Sequence, residues 1–216
     1  MYKALLFDFD GTLADTYDVC VQSFYRFLLE YTGRKYTREE IIALFGYNEC
    51  GVIAQFIGLE QARSNFGRFT EIYQEEMHAV GNHPFDGIPE LLSEAKSLGY
   101  RLACSTGKCL ETAKLSLEYF GIASYFEAVS CGFEDVQAKT RTMSNSLVQL
   151  GLQASECLYV GDAPTDVTSA HPIGLAIAGV AWAPTTNPVE LQSAQPDHFF
   201  LTTADFAAFL RENAYE

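Results

Sequence analysis

The sequence predicts a doubly wound, Rossmann-like parallel α/β sheet interrupted by an all-helical segment. Short apolar runs of strand length alternate with stretches of helical periodicity over most of the chain. Residues from about Thr16 to about His83 break that alternation and hold no convincing strand. Pro84 and the Asp86-Gly87 turn then mark a return to the alternating pattern. Residues 1–15 and 84–216 are therefore expected to form the core, with residues 16–83 inserted into it.

The expected strands are Ala4 to Phe9, Arg101 to Ser105, Ala128 to Ser130, Cys157 to Val160, Leu175 to Ala183 and His198 to Leu201. Helices are expected at Pro89 to Leu98, Leu110 to Phe120, Thr142 to Leu150 and Thr165 to Ala170. Within the insertion, Val19, Phe24, Phe27 and Leu28 recur at helical spacing. Thr37 followed by Glu40 is a capping-box signature for a second helix. Phe66, Phe69, Ile72 and Tyr73 mark another helix, which ends near Gly81. The chain is predicted to pass between core and insertion near Ala14 to Thr16 and Asn82 to Phe85.

The 216 residues carry a formal charge of −14, with 48% hydrophobic and 19% charged residues. That balance is ordinary for a globular protein but argues against nucleic-acid binding, which needs clustered Lys and Arg. It also means that an anionic substrate must be received at one locally organised site. No apolar run approaches the roughly 20 residues that span a bilayer, and the first residues read as a buried strand, not as a signal peptide. The six cysteines lack metal-ligand or CxxC spacing, so buried, reduced thiols in the cytoplasm are expected.

Four chemically pointed features each follow a different strand. Asp8-Phe9-Asp10-Gly11-Thr12 closes the first, and alternation places Asp8 and Asp10 on one side of an extended chain. Two such carboxylates can divide the roles of nucleophile and acid/base, and Gly11 permits a sharp turn near a phosphate. Ser105-Thr106-Gly107-Lys108 joins a strand to a helix N-terminus, where hydroxyl and backbone N–H groups suit phosphate. Lys139 lies in a polar stretch beyond Ser130, and by itself would read as a solvated charge. Gly161-Asp162-Ala163-Pro164-Thr165-Asp166 offers two carboxylates four apart, able to hold a hard cation or to cap a helix.

Taken in this order, DFDGT, a strand-end Ser/Thr, a later Lys and GDxxxD resemble the haloacid dehalogenase-like hydrolase superfamily over essentially the whole chain. The helical insertion directly after the first motif looks like the arrangement called a type 1 cap. The segments DFDGTLAD (Asp8 to Asp15), PFDGIPELL (Pro84 to Leu92) and LEYFGIASYF (Leu117 to Phe126) look most like the phosphoglycolate phosphatase and β-phosphoglucomutase-like branch.

The resemblance implies a Mg²⁺-dependent phosphatase acting on a small phosphorylated metabolite: phosphoglycolate, a sugar phosphate, a nucleotide or pyrophosphate. It implies Asp8 as nucleophile, forming an aspartyl-phosphate, and Asp10 as general acid and then base. Mg²⁺ would be held by Asp8, the backbone carbonyl of Asp10 and Asp162, with Asp166 orienting from behind. Thr106 and the amide of Gly107 would bind the phosphoryl oxygens, with Ser105 the alternative hydroxyl. Lys139 would neutralise charge between Asp8 and the phosphate. It is followed here by Thr140-Arg141, not by the family's usual proline, so Arg141 is the nearest alternative cation. The dehalogenase members lack an aspartate at the position of Asp10, so its presence implies an oxygen leaving group.

Gly46-Tyr47-Asn48 is the expected specificity loop, unless Gly46 is simply a helix C-cap. Asp15 is a candidate hinge partner. A β-phosphoglucomutase-like isomerase is the alternative activity, and a monomer or homodimer without nucleic-acid or membrane partners is expected.

Overall fold

The computed structural model describes residues 1–81, 83–135 and 139–214. In it Ala4–Phe7 (β1) is apolar and buried at every position, the mark of a parallel strand covered on both faces. Side chains alternate across it. Leu5 and Phe7 enter one hydrophobic cluster with Leu91, Leu102 and Phe206, while Ala4 and Leu6 enter another with Met143, Tyr159 and Val167. The remaining strands are Arg101–Ser105 (β2), Ala128–Ser130 (β3), Cys157–Gly161 (β4), Ala176–Val180 (β5) and His198–Phe200 (β6). They form one parallel sheet in the order β3-β2-β1-β4-β5-β6. The order reverses direction at β1, which opens a crevice at the carboxyl ends of β1, β2 and β4.

Four helices follow β1: Tyr17–Thr32 (α1), Arg38–Ile42 (α2), Glu49–Ile57 (α3) and Leu59–Val80 (α4). They gather a third cluster around Val19, Phe24, Phe27, Ile53, Phe69 and Tyr73. The core then supplies Ile88–Ser97 (α5), Leu110–Tyr119 (α6), Lys139–Leu150 (α7), Pro164–Ala170 (α8), Pro188–Ser193 (α9) and Thr203–Glu212 (α10). The outgoing and returning chains touch where Ala14 bridges Pro84 and the Phe85 N–H donates to the Leu13 carbonyl at 3.0 Å. Asn82, at the expected crossing, lies outside the described residues. Asp15 accepts the Tyr17 N–H at 3.3 Å beside that crossing. Among the described residues no helix is long and apolar enough to cross a membrane.

Thr37 and Glu40 form the predicted capping box of α2, and α4 ends at Gly81 in the left-handed conformation. Helices α3, α9 and α10 were not among those expected, and other features depart in their bounds or ends. β1 stops at Phe7, because the N–H groups of Thr12, Leu13 and Ala14 all fold back onto the Phe9 carbonyl. β5 is shorter than its apolar run at both ends. Gly46 caps no helix: α2 is closed by Ala43, and Asn48 opens α3 by accepting the Gly51 N–H at 2.9 Å. α7 begins at Lys139, three residues before the predicted Thr142, which places the lysine on the first turn of a helix.

Candidate active site

Asp8 is the first residue beyond β1 and is 6% exposed. Its Oδ1 accepts the Phe9 N–H at 2.8 Å and its Oδ2 lies 2.6 Å from Lys139 Nζ. The same ammonium contacts Asp166 Oδ1. Lys139 is thus no solvated surface charge; it is clamped between two carboxylates at the start of α7. Burial alone would drive its proton off, but Asp166 and Asp8 reverse the balance and hold it well above the ordinary lysine value. Arg141, the alternative cation, instead lays its guanidinium over the Phe133 ring at 3.7 Å.

Asp162 follows β4 and is held by two hydroxyls, Thr12 Oγ1 donating to Oδ1 at 3.0 Å and Thr186 Oγ1 to Oδ2 at 3.2 Å. Asp166 is fully buried in the first turn of α8, where its Oδ2 accepts the Ala163 N–H at 3.0 Å. It therefore does cap that helix, from inside it. Oxygens of Asp8, Asp162 and Asp166 all lie within 4.8 Å of one another. Burial, followed by the neighbouring carboxylates, pushes Asp8 up to about 7 and Asp162 up to about 6, in both cases against the lowering pull of Lys139. Gly11, at φ +80°, fits because a Cβ there would overlap the Asp162 carboxylate.

Asp10 accepts from the Thr16 hydroxyl and from Lys108 Nζ, the latter at 3.1 Å. Lys108 escaped the sequence reading as a site residue. It stands two places after Thr106 and carries no local signal beyond opening a helix. Its ammonium is buried and also lies 3.2 Å from Cys20 Sγ and 3.5 Å from Glu49 Oε1. Glu49, buried on α3, was equally invisible in sequence.

Thr106 is fully buried, with its N–H on the Ser130 carbonyl at 2.9 Å and its Oγ1 accepting the Lys108 N–H at 3.2 Å. Ser105 and Ser130 lie opposite each other on β2 and β3, and neither hydroxyl has a partner among the described residues. Gly107 reaches the open space: a cavity of about 500 Å³ is lined by Asp8, Asp10, Gly107, Lys139 and Asp162, with Phe45 and Gly46 approaching from the helical insertion. Asn48 ties that loop to the core through its N–H to the Phe133 carbonyl at 3.0 Å and its Nδ2 to the Gly132 carbonyl at 3.2 Å. On the opposite side, Trp182 Nε1 donates to the Thr12 carbonyl at 2.8 Å.

A family model described as haloacid dehalogenase-like hydrolase matches residues 5–180. The chain belongs to that family. As a haloacid dehalogenase-like hydrolase it is a phosphatase, in keeping with the relatives it matches along nearly their whole length. A Caldanaerobacter subterraneus subsp. tengcongensis protein bearing the name PpaX is 31% identical over 200 residues, 91% of this chain and 89% of that protein. The Bacillus velezensis pyrophosphatase PpaX is 28% identical over 206 residues, 94% of this chain and 93% of the relative. CbbY from Rhodobacter sphaeroides, crystallised with phosphate, shares the fold at a TM-score of 0.76 and 21% identity, covering 95% of this chain and 96% of its own.

Proposed function

We propose that this phosphatase is Mg²⁺-dependent and transfers the phosphoryl group of a small substrate, pyrophosphate or a short phosphate monoester, to Asp8. The observation that carries the reading is the meeting of Asp8, Asp10, Asp162 and Lys139 at one cavity of about 500 Å³. The pyrophosphatase relative and the phosphate-bound CbbY support a small phosphorylated substrate.

The residues fit a hard divalent cation. Carboxylate oxygens of Asp8, Asp162 and Asp166 lie within 4.8 Å of one another. Burial first, then the neighbouring carboxylates, raises the Asp8 and Asp162 pKa values, a strain that a bound cation would relieve. Asp8, Asp162 and the Asp10 carbonyl would hold Mg²⁺, with Asp166 orienting Lys139. Bound there, the ion would offset carboxylate repulsion and polarise phosphoryl oxygens.

In the first step an Asp8 oxygen attacks phosphorus in line. The P–O bond to the leaving group breaks with its electron pair, and Asp10 delivers a proton to that oxygen, whether it belongs to an alcohol or to phosphate. In the second step Asp10 takes a proton from water as it attacks phosphorus. The acyl-phosphate bond breaks, returning the Asp8 carboxylate and releasing inorganic phosphate. Lys139 neutralises charge between Asp8 and the phosphoryl group throughout, and the Gly107 amide borders the phosphoryl oxygens, with the buried Thr106 hydroxyl directly behind it. Hydrolysis of p-nitrophenyl phosphate and pyrophosphate, with Mg²⁺ and with EDTA, tests this. Loss of turnover in Asp8→Asn and in EDTA is expected, and full activity in Asp8→Asn would overturn it.

A further inference from the structure

Lys139 is matched to Asp8, and a second buried lysine, Lys108, is matched to Asp10. Lys108 does not border the main cavity. It lines a smaller recess of about 110 Å³ together with Cys20, Phe24, Tyr47 and Glu49. Asp10 and Gly107 are walls common to both spaces. A leaving group that passes between Asp10 and Gly107 would therefore come within reach of the recess that Lys108 lines.

The position of that ammonium is imposed from the helical insertion. Cys109, the N-cap of α6, supplies no side-chain cap. Glu49 from α3 takes its place, with Oε2 accepting the Cys109 N–H at 2.6 Å and Oε1 accepting the Thr112 hydroxyl at 2.6 Å. The same carboxylate faces Lys108 Nζ at 3.5 Å, and the Tyr73 ring lies 5.0 Å away. Lys108 is a core residue whose charged end is enclosed by α1, α3 and α4.

Resting on the phosphatase reading above, we propose that Lys108 is a further catalytic residue, one that stabilises the leaving-group oxygen, and that Glu49 is the positioning residue that aims it from the insertion. As the P–O bond breaks and its electron pair moves onto the leaving oxygen, the Lys108 ammonium faces the growing charge beside the proton-donating Asp10. The recess, with room for roughly four waters, suits a second phosphate or a two- to three-carbon fragment better than a nucleoside or hexose.

The test is steady-state kinetics with Mg²⁺ on phosphate monoesters of graded leaving-group basicity, from p-nitrophenyl through phenyl to ethyl phosphate. Lys108→Met should lower kcat by about 10-fold on the best leaving group and about 10³-fold on the worst, with smaller changes in KM. Lys108→Arg should recover part of the loss on ethyl phosphate. Glu49→Gln should show the same selectivity more weakly, and adding it to Lys108→Met should cost little more. If Lys108→Met does not fold, Glu49→Gln carries the test alone. Equal losses across the series, or none, would overturn the assignment while an active wild type leaves the phosphatase reading intact. A wild type inert on every ester and on pyrophosphate overturns both.

Discussion

Lys139 Nζ lies 2.6 Å from Asp8 Oδ2 while it also contacts Asp166, so one ammonium fixes the nucleophile candidate against a buried carboxylate. Removing it leaves Asp8, Asp162 and Asp166 facing one another without a counter-charge. Lys139→Met should lower kcat by at least about 10²-fold, the scale of a lost electrostatic contact to a transition state. Arg141→Ala, whose guanidinium rests on Phe133, should stay within a few-fold of wild type. Parallel kinetics on both variants check this, and a larger loss in Arg141→Ala would reverse the two roles.

Burial, then the neighbouring carboxylates, pushes Asp8 up to about 7 and Asp162 up to about 6, above their ordinary value of 3.8. The folded, metal-free protein thus binds protons that the unfolded chain has released, and its stability falls as pH rises from about 4 to about 7. Melting without metal should show that decline, and Asp8→Asn should flatten it. Mg²⁺ must displace those protons, so it should raise Tm more at about pH 8 than at about pH 6.

Gly11 cannot carry a side chain without striking Asp162, and its φ of +80° is unfavourable for other residues. Gly11→Ala should cost about 1–2 kcal/mol in backbone strain alone. The displaced Asp162 should in addition weaken the Mg²⁺-induced rise in Tm, which separates loss of the metal site from simple destabilisation.

Gly51 brings α3 against the Cys131–Asp135 loop: a Cβ there would stand 2.5 Å from the Glu134 carbonyl oxygen. Gly51→Ala should push α3 outwards and carry Asn48 and Glu49 with it. KM and kcat should worsen together, as for residues that control closure over a site. A change in KM alone would restrict the effect to substrate entry.

The strand-end carboxylates were legible because each is a local pattern: Asp8 and Asp10 two apart, Asp162 and Asp166 four apart, each directly after an apolar run. The strands themselves were legible for the same reason, and the sheet carries all six. What sequence hid is tertiary. Lys139 has no local mark of its own and was placed at the site only by the family resemblance; the packing of α7 on β2, β3 and α8 turns it towards Asp8. Lys108 was read as part of a helix start, since the groups that surround it, Cys20, Glu49 and Tyr73, come from three other helices. α3 was missed because Gly51 weakens its helical pattern, and that glycine is present for the close approach to Glu134.

The indole of Trp182 is tethered to the carbonyl of Thr12, whose hydroxyl in turn holds Asp162. It is the sole tryptophan of the chain. Its fluorescence is therefore a built-in optical reporter, two hydrogen bonds from the carboxylate cluster, and titration with Mg²⁺ or a phosphate analogue can be followed by emission without a label.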